Sequence, residues 1–172
     1  TVGTITEIYD YLRLLFARAS TAYSYVTGEK MVKYSDNQIV DIITEKFGGK
    51  SIYVLAPLVN GRKGHYKELF ENIRRRGYMT ARIDGEITEV EYNLKLDRYK
   101  NHFIEVVVDK LTIKSDDDSQ RLRKAIELAM QLGKGITMVL EKGSDKPSFY
   151  SRFLMCPTSG ISYKEPAPHS FS

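Results

Sequence analysis

The chain has 172 residues, of which 42% are hydrophobic and 28% charged, with a net charge of +4 and a pI near 9.0. This length suits one domain with a buried core, or one domain and part of a second. A single cysteine excludes an internal disulfide framework and fits a reducing cytosol. No apolar run approaches the ~20 residues of a membrane helix. We therefore expect a cytoplasmic protein with no membrane partner. Because it begins at Thr1 without Met and ends in a Pro-rich segment, we also expect a piece of a longer chain.

The first 50 residues predict two helices separated by a loop. Residues 4–19 show a capping-box pattern followed by apolar residues at helical spacing. Residues 20–34 are rich in tyrosine and indicate a hairpin or an irregular loop. Ser35 and Gln38 form a second capping-box pattern, which opens a short helix. The apolar side of that helix consists of Ile39, Ile42, Ile43 and Phe47.

Residues 51–84 predict a strand, a helix and a second strand. The apolar run Ile52–Val59 predicts a strand that ends in a turn at Asn60 and Gly61. The following helix is apolar on one face and ends before Gly77. Alternation of apolar and polar residues from 79 to 84 then predicts a strand with one polar face.

This part of the chain is densely basic. Between Ser51 and Arg82, seven cations face two carboxylates, a local charge of +5, so the rest of the chain sums to about −1. A positive field confined to one region indicates a docking surface. Cations at a helix C-terminus are favourable in themselves, which accounts for part of the pattern. The cations are Arg62, Lys63, Lys67, Arg74, Arg75, Arg76 and Arg82.

The second half of the chain predicts a turn at 84–86, a polar stretch from 87 to 101 and a long strand from Phe103 to Ile113. Three acids favour a helix start at 116–118, and Gly133 closes that helix. Two further strands are predicted near 135–141 and 147–155. The predicted class is α/β (mixed α+β): a mixed sheet with helices packed on one face and at least one parallel-type crossover.

If these strands share a sheet, period-two geometry places two sets of polar residues side by side on one open face. A face of mixed charge suits recognition of a charged protein surface, whereas DNA binding usually needs a stripe of one sign. An ordinary solvated sheet face is the alternative. The predicted residues of this face are Thr80, Arg82, Asp84, Glu105, Val107 and Asp109.

The sequence predicts neither a catalytic nor a metal site. Residues 61–64 lie where phosphate loops lie, but no Lys-Ser/Thr pair follows, so a basic turn is favoured over nucleotide binding; an anion at this helix N-terminus is the alternative. Cys156 begins half a zinc knuckle whose second thiol is replaced by Ser159, a poor zinc ligand. Three residues lack a His or Cys at ligand spacing and are predicted to be surface or loop histidines: His65, His102 and His169.

Several sequence runs occur in the order found in one known family. They are Thr1–Arg18, Leu55–Val59 with Arg62–Gly64, Arg82–Glu86, Glu105–Asp109 and Cys156–Gly160. Together they resemble the UvrA family, the damage sensors of the bacterial excinuclease in nucleotide excision repair, over essentially the whole chain.

The resemblance implies a UvrB-binding insert at 35–149, flanked by stem segments of a signature domain at 1–34 and 150–172. In the family this insert docks UvrB through a polar, charged interface and damaged DNA is handed on. The family's ATP-binding elements would lie outside this piece. The resemblance therefore implies no cofactor (ATP, Mg or zinc) and no enzymatic activity here, a monomeric fragment, and a homodimeric ABC-class ATPase as its parent.

By position, the family's interface arginines fall on Thr80, which lacks the charge, and Lys110, which keeps it without the planar fork. The family's paired cysteines are absent after the first helix, in agreement with a metal-free interpretation. The alternative function is contact with the DNA backbone through the basic residues, including Arg76. The complete set of predicted partner-binding residues is Arg62, Lys63, Arg74, Arg75, Thr80, Arg82, Asp84, Glu86, Glu105, Asp109 and Lys110.

Overall fold

The computed structural model describes residues 32–155 and 162–163. The helices are α1 (Asp36–Phe47), α2 (Lys67–Arg75) and α3 (Asp116–Leu132). The strands are β1 (Ser51–Lys63), β2 (Thr80–Ile83), β3 (Glu86–Glu89), β4 (Asn101–Thr112), β5 (Ile136–Glu141), β6 (Ser148–Ser151), β7 (Leu154–Met155) and β8 (Ser162–Tyr163). The predictions for the helix at 4–19, for nearly all of the loop at 20–34, and for Cys156, Ser159 and His169 lie outside the described residues.

Six of the strands form one sheet in the order β3-β2-β4-β1-β5-β6, while β7 pairs with β8. Strands β1 and β2 flank β4 and run in the same direction, as do β4 and β5 on either side of β1. Two β-α-β crossovers therefore interlock, which is the split arrangement of ferredoxin-like domains. The α/β class and the crossover are confirmed. Each pair of neighbouring strands in this sheet is antiparallel rather than mixed, because each crossover passes over one intervening strand.

Both of the longer helices begin where a serine supplies the cap. In α1, Ser35 Oγ accepts from the amide of Gln38 at 3.3 Å, and the Gln38 side chain accepts from the Ser35 amide at 2.9 Å. Ser115 and Asp118 repeat this reciprocal arrangement at the start of α3. Each capping box satisfies two amides that have no partner inside the helix. The predicted start of each helix is confirmed.

The end of α2 is set by glycine. Gly77, with φ of +94°, donates its amide to Arg74 O at 2.9 Å, and the Tyr78 amide donates to Ile73 O at 2.9 Å. This pair of bonds is a Schellman motif, which needs a left-handed residue that only glycine adopts without cost. The chain then turns directly into β2, as the sequence predicts.

The main core lies between the helices and one face of the sheet. All three helices contribute to it, through Ile39 and Ile43 of α1, Phe70 of α2, and Leu122 and Ile126 of α3. None of the described helices packs on the opposite face, which we call the helix-free face. Its smaller second core consists of Leu55, Met138 and Leu140, with Tyr53, Val107 and Phe149 packed against them.

Strand β1 continues past the predicted turn, so the prediction of a turn at Asn60 and Gly61 is wrong. Three irregularities in the pairing of β1 with β4 absorb extra residues, and the last lies between Asn60 and Arg62. Gly61 has φ of +68° there, and a Cβ on it would come within 3.2 Å of the Phe103 ring. Glycine thus permits a bulge that bends the strand without ending it.

Strand β3 was not predicted, because its sequence Glu-Ile-Thr-Glu has only one strongly apolar residue. It is added to the sheet by the two-residue turn Asp84–Gly85, where φ is +50° and +88°. An Asp-Gly pair with both φ values positive is the preferred type I′ hairpin turn. The predicted turn is confirmed, and it supplies an edge strand as well.

The last predicted strands are only partly right. Strand β5 agrees with the prediction near 135–141, but the predicted strand at 147–155 is divided at 152–153 into β6 and β7. No helix in the described part of the chain is long and apolar enough to cross a membrane.

Candidate functional site

The helix-free face of the sheet brings four of the predicted face residues together. Strand pairing aligns Arg82 with Glu105. Thr80 is the residue before Ala81, which pairs with Val106, so Thr80 lies opposite Val107. This part of the predicted face is confirmed. One row of side chains crosses all six strands: Glu89, Thr80, Val107, Leu55, Met138 and Phe149.

Arg82 and Glu105 form a buried ion pair on this face. Arg82 Nη1 lies 2.6 Å from Glu105 Oε1, and the two side chains are 11% and 6% exposed. Burial raises the pKa of Glu105, and the Arg82 guanidinium offsets only part of that effect. Within the described residues, Arg82 Nε is buried with no hydrogen-bond partner. The predicted exposure of these two charges is therefore wrong: they face each other, not solvent.

The loop between β5 and β6, residues 142–147, extends towards Arg82. Arg82 Nη2 lies 3.4 Å from Asp145 O, although two strands separate β2 from β5. The rings of Tyr53 and Phe149 pack against the second core. Leu55, Met138 and Leu140 are buried there although none of the described helices covers them.

Lys110 lies at the other end of the same face. It pairs with Tyr53 across β1 and β4, and its Nζ is 5.6 Å from the Tyr53 ring centroid. Such a contact between a cation and an aromatic face is favourable. Lys110 is exposed, so the face offers an aromatic surface with a positive charge beside it.

Asp109 is not on this face, contrary to prediction. It pairs with Val54, whose side chain is in the main core, because the pairing shifts between Val54 and Leu55. Its carboxylate instead accepts two hydrogen bonds from Arg121 of α3, at 2.7 and 2.8 Å. The bulge reverses the alternation of β4, and period-two reasoning cannot anticipate that.

Asp84 also departs from the predicted face, because it occupies the β2–β3 turn. Its carboxylate accepts from the Phe103 amide at 2.8 Å and contacts His102 Nδ1 at 2.7 Å. His102 Nε2 contacts Asp97 O at 2.7 Å. Both ring nitrogens therefore face acceptors, which only the protonated imidazole satisfies. The hydrogen bond to Asp84, followed by that to Asp97, raises the pKa of His102. The prediction of a surface or loop histidine is wrong for His102, which is buried.

The remaining predicted residues lie elsewhere. Arg62, Lys63 and Glu86 are exposed near the sheet end that holds the β2–β3 turn. Arg74 and Arg75 are in the last turn of α2, in the helical layer. The basic residues that are close in sequence are thus divided between the two ends of α2, about 13 Å apart.

Sequence reasoning missed the aromatic part of the helix-free face. Tyr53 and Leu55 alternate with Ile52 and Val54, so β1 is apolar in both phases. That pattern indicates a strand buried on both faces. It was the available signal for a second core.

The described residues form no cluster of three or more His, Cys, Asp or Glu side chains that could hold a metal ion. A cleft of roughly 840 Å³ lies between α2 and α3 and is lined mainly by aliphatic side chains, with Arg76 as its charged member. The helix-free face carries a buried ion pair and a small apolar core bordered by two aromatic rings. This arrangement can recognise a surface, and the described part of the face brings together no nucleophile and base.

The match to known proteins covers the whole chain. A family model described as UvrA interaction domain matches residues 35–143. The chain is 43% identical over 177 residues to UvrABC system protein A of Methanothermobacter thermautotrophicus, and 41% identical to the proteins of that name from Deinococcus radiodurans (179 residues) and Bacillus subtilis (172 residues). In each case all of the chain but only 18% of the relative is covered, so the chain spans about a fifth of the length of these relatives. The chain belongs to the UvrA interaction domain family.

Proposed function

We propose that this chain is a non-catalytic docking module that binds UvrB through the helix-free face of its sheet, as part of nucleotide excision repair. The main support for this proposal is the second core, which lies on the face that the described helices leave uncovered. Tyr53, Val107 and Phe149 are only partly buried there, and Lys110 lies at its edge. A small apolar centre with a charged border is the usual composition of a protein interface.

The buried ion pair supports this assignment through its effect on shape. The ion pair joins Arg82 of β2 to Glu105 of the neighbouring β4, and Arg82 also contacts the β5–β6 loop. We assign Arg82 and Glu105 a positioning role, and we assign partner contact to the exposed Lys110 and the half-buried Thr80. A rigid surface loses little conformational entropy when a partner binds.

The other predicted partner-binding residues divide by position. Arg62, Lys63, Asp84 and Glu86 lie at one end of the sheet, where they can extend the same interface. Asp109, which is paired with Arg121, and the two arginines of α2 belong to the helical layer. We therefore propose that Arg74, Arg75 and Asp109 do not contact UvrB.

A calorimetric titration of this chain with UvrB, carried out at two salt concentrations, tests the proposal. We expect a complex that weakens as salt increases, because charged groups border the interface. Lys110→Glu reverses a charge beside Tyr53 and should weaken binding roughly tenfold, about 1.4 kcal/mol. The matched control is Lys124→Glu, an exposed lysine of α3 with the same charge change, which should bind like the unaltered chain.

Absence of a complex under any salt condition would overturn the docking proposal. Equal weakening by Lys110→Glu and Lys124→Glu would keep docking but remove it from the helix-free face. For the longer protein, which we propose is cytoplasmic, we also propose that ATP binding, ATP hydrolysis and dimerisation reside in the parts that this chain does not span.

A further inference from the structure

The connection from β3 to β4, residues 90–100, lies alongside α2 and is fixed at both ends of that helix. At the C-terminal end of α2, Arg74 Nη1 donates to Val90 O at 2.8 Å, and the Val90 amide donates to Met79 O at 2.9 Å. Near the N-terminal end, the Leu96 amide donates to His65 O at 2.8 Å. Leu94 and Leu96 pack on the main core. The connection therefore follows α2 in the opposite direction, as an ordered part of the surface.

Two tyrosines of this connection project from the surface. Tyr92 is 76% exposed and Tyr99 is 79% exposed, the highest exposures among the large hydrophobic side chains of the described residues. The Arg74 guanidinium lies 6.0 Å from the Tyr92 ring centroid, and the Tyr99 amide donates to Asp97 Oδ1 at 2.9 Å. Within the described part of the chain, both rings lie outside the two cores. Aromatic rings held outside a core on an ordered backbone are available to stack on a ligand.

The surface around these tyrosines is strongly positive. The connection and residues 62–76 together hold nine cations and four carboxylates. The connection also joins the two basic groups at the ends of α2 that are separated in the fold. The cations are Arg62, Lys63, Lys67, Arg74, Arg75, Arg76, Lys95, Arg98 and Lys100.

We propose that this surface, the tyrosine ridge (residues 90–100 with the basic residues of 62–76), binds an unpaired nucleic acid strand. Two exposed aromatic rings along a positive track are the arrangement that holds single strands, with bases stacked on rings and phosphates near cations. A duplex would offer only phosphates, because its bases are already stacked on one another. A protein surface can also pack on tyrosine rings, so competition by an acidic polymer is part of the test.

The two tyrosines of the ridge are separate from the centre of the proposed UvrB surface, and Arg62 and Lys63 at the end of the sheet border both surfaces. The tyrosine ridge lies beside α2, in the helical layer, whereas Lys110 and Tyr53 belong to the helix-free face. A variant at either ridge tyrosine therefore leaves Lys110 and Tyr53 intact, and a variant at Lys110 leaves both ridge tyrosines intact. Failure of strand binding would not affect the docking proposal, nor would failure of docking affect this one.

Fluorescence anisotropy with a labelled ten-nucleotide oligo-dT and the complete 172-residue chain tests the inference. We expect binding that weakens as salt increases. Tyr92→Ala and Tyr99→Ala should each weaken binding roughly tenfold, because stacking on an aromatic ring is lost. The matched control is the pair Tyr92→Phe and Tyr99→Phe, which retains both rings and should bind like the unaltered chain. Circular dichroism checks that these exposed substitutions leave the fold unchanged.

Three results would overturn the inference. The first is no binding of oligo-dT at low salt. The second is equal affinity of the alanine variants and the unaltered chain, which would mean that only charge is recognised. The third is equal competition by a duplex or by polyglutamate of the same charge, which would indicate a general polyanion surface or an acidic protein partner.

Discussion

The two faces of the sheet are built on different physical principles. The face beneath the helices is filled by aliphatic and aromatic side chains from every described helix, and Ile39, Ile43 and Ile126 are fully buried. Among the described residues, the helix-free face has a core of three buried side chains bordered by two aromatic rings, and it also carries a buried ion pair. From this contrast we infer that the helical face supplies most of the stability. The helix-free face contributes less to stability and presents a defined surface.

Truncation of one aromatic ring on each face gives the largest expected effect. Phe70→Ala removes a fully buried ring from the main core and should lower the free energy of unfolding by about 4 kcal/mol. Phe149→Ala on the helix-free face should cost about 1–2 kcal/mol, because its ring is only partly buried. Urea denaturation measures both. Equal losses would mean that the two faces contribute alike to stability.

The ion pair provides the second test. Glu105→Gln leaves the buried Arg82 charge without a counter-charge and should cost about 3 kcal/mol. The double variant Arg82→Met with Glu105→Leu removes both charges and should return stability to within ~1 kcal/mol of the unaltered chain. Denaturation of Arg82→Met, of Glu105→Leu and of the double variant forms a thermodynamic cycle. Additive losses would show that the pair is not coupled.

His102 provides a test at the end of the sheet that holds the β2–β3 turn. The hydrogen bond to Asp84 raises the pKa of His102 in the folded chain above its ordinary value near 6.5. Its stabilising contribution is therefore complete below about pH 6.5 and is lost as pH rises through the folded pKa. His102→Gln should cost about 2 kcal/mol at pH 6, the value of a charged hydrogen bond, and less at pH 9.

Denaturation of the unaltered chain and of His102→Gln at both pH values measures the effect. Taking the difference between the two proteins removes the pH-dependent contributions that both share. A cost that does not fall as pH rises would contradict a protonated His102 in the fold.

The smallest expected effect comes from a helix cap. Ser115→Ala removes the acceptor for the Asp118 amide at the start of α3 and should cost about 1 kcal/mol. Because α3 packs on the other side of the sheet, UvrB affinity should not change. Thermal denaturation together with the UvrB titration checks both statements. A loss of affinity would couple the helical layer to the helix-free face.

Local chemistry made much of the fold predictable from the sequence. Ser35 and Ser115 mark helix starts because their hydroxyls satisfy free amides, and Gly77 marks a helix end because it tolerates a left-handed backbone. Asp84 and Gly85 determine a hairpin for the same reason. These signals act within a few residues, so no knowledge of the tertiary structure is needed to interpret them. Period-two alternation likewise placed Thr80 and Arg82 beside Glu105.

The charges that reach solvent could be identified only from the folded chain. Arg82 and Glu105 neutralise each other because β2 and β4 are neighbours, and Asp109 turns to α3 because one extra residue in β4 reverses the alternation. The strand order also joined two basic groups through the 90–100 connection. Charge and periodicity are properties of the sequence, whereas the partner of a charge depends on register and on bulges. Those depend on contacts between residues far apart in the chain, and no local pattern encodes them.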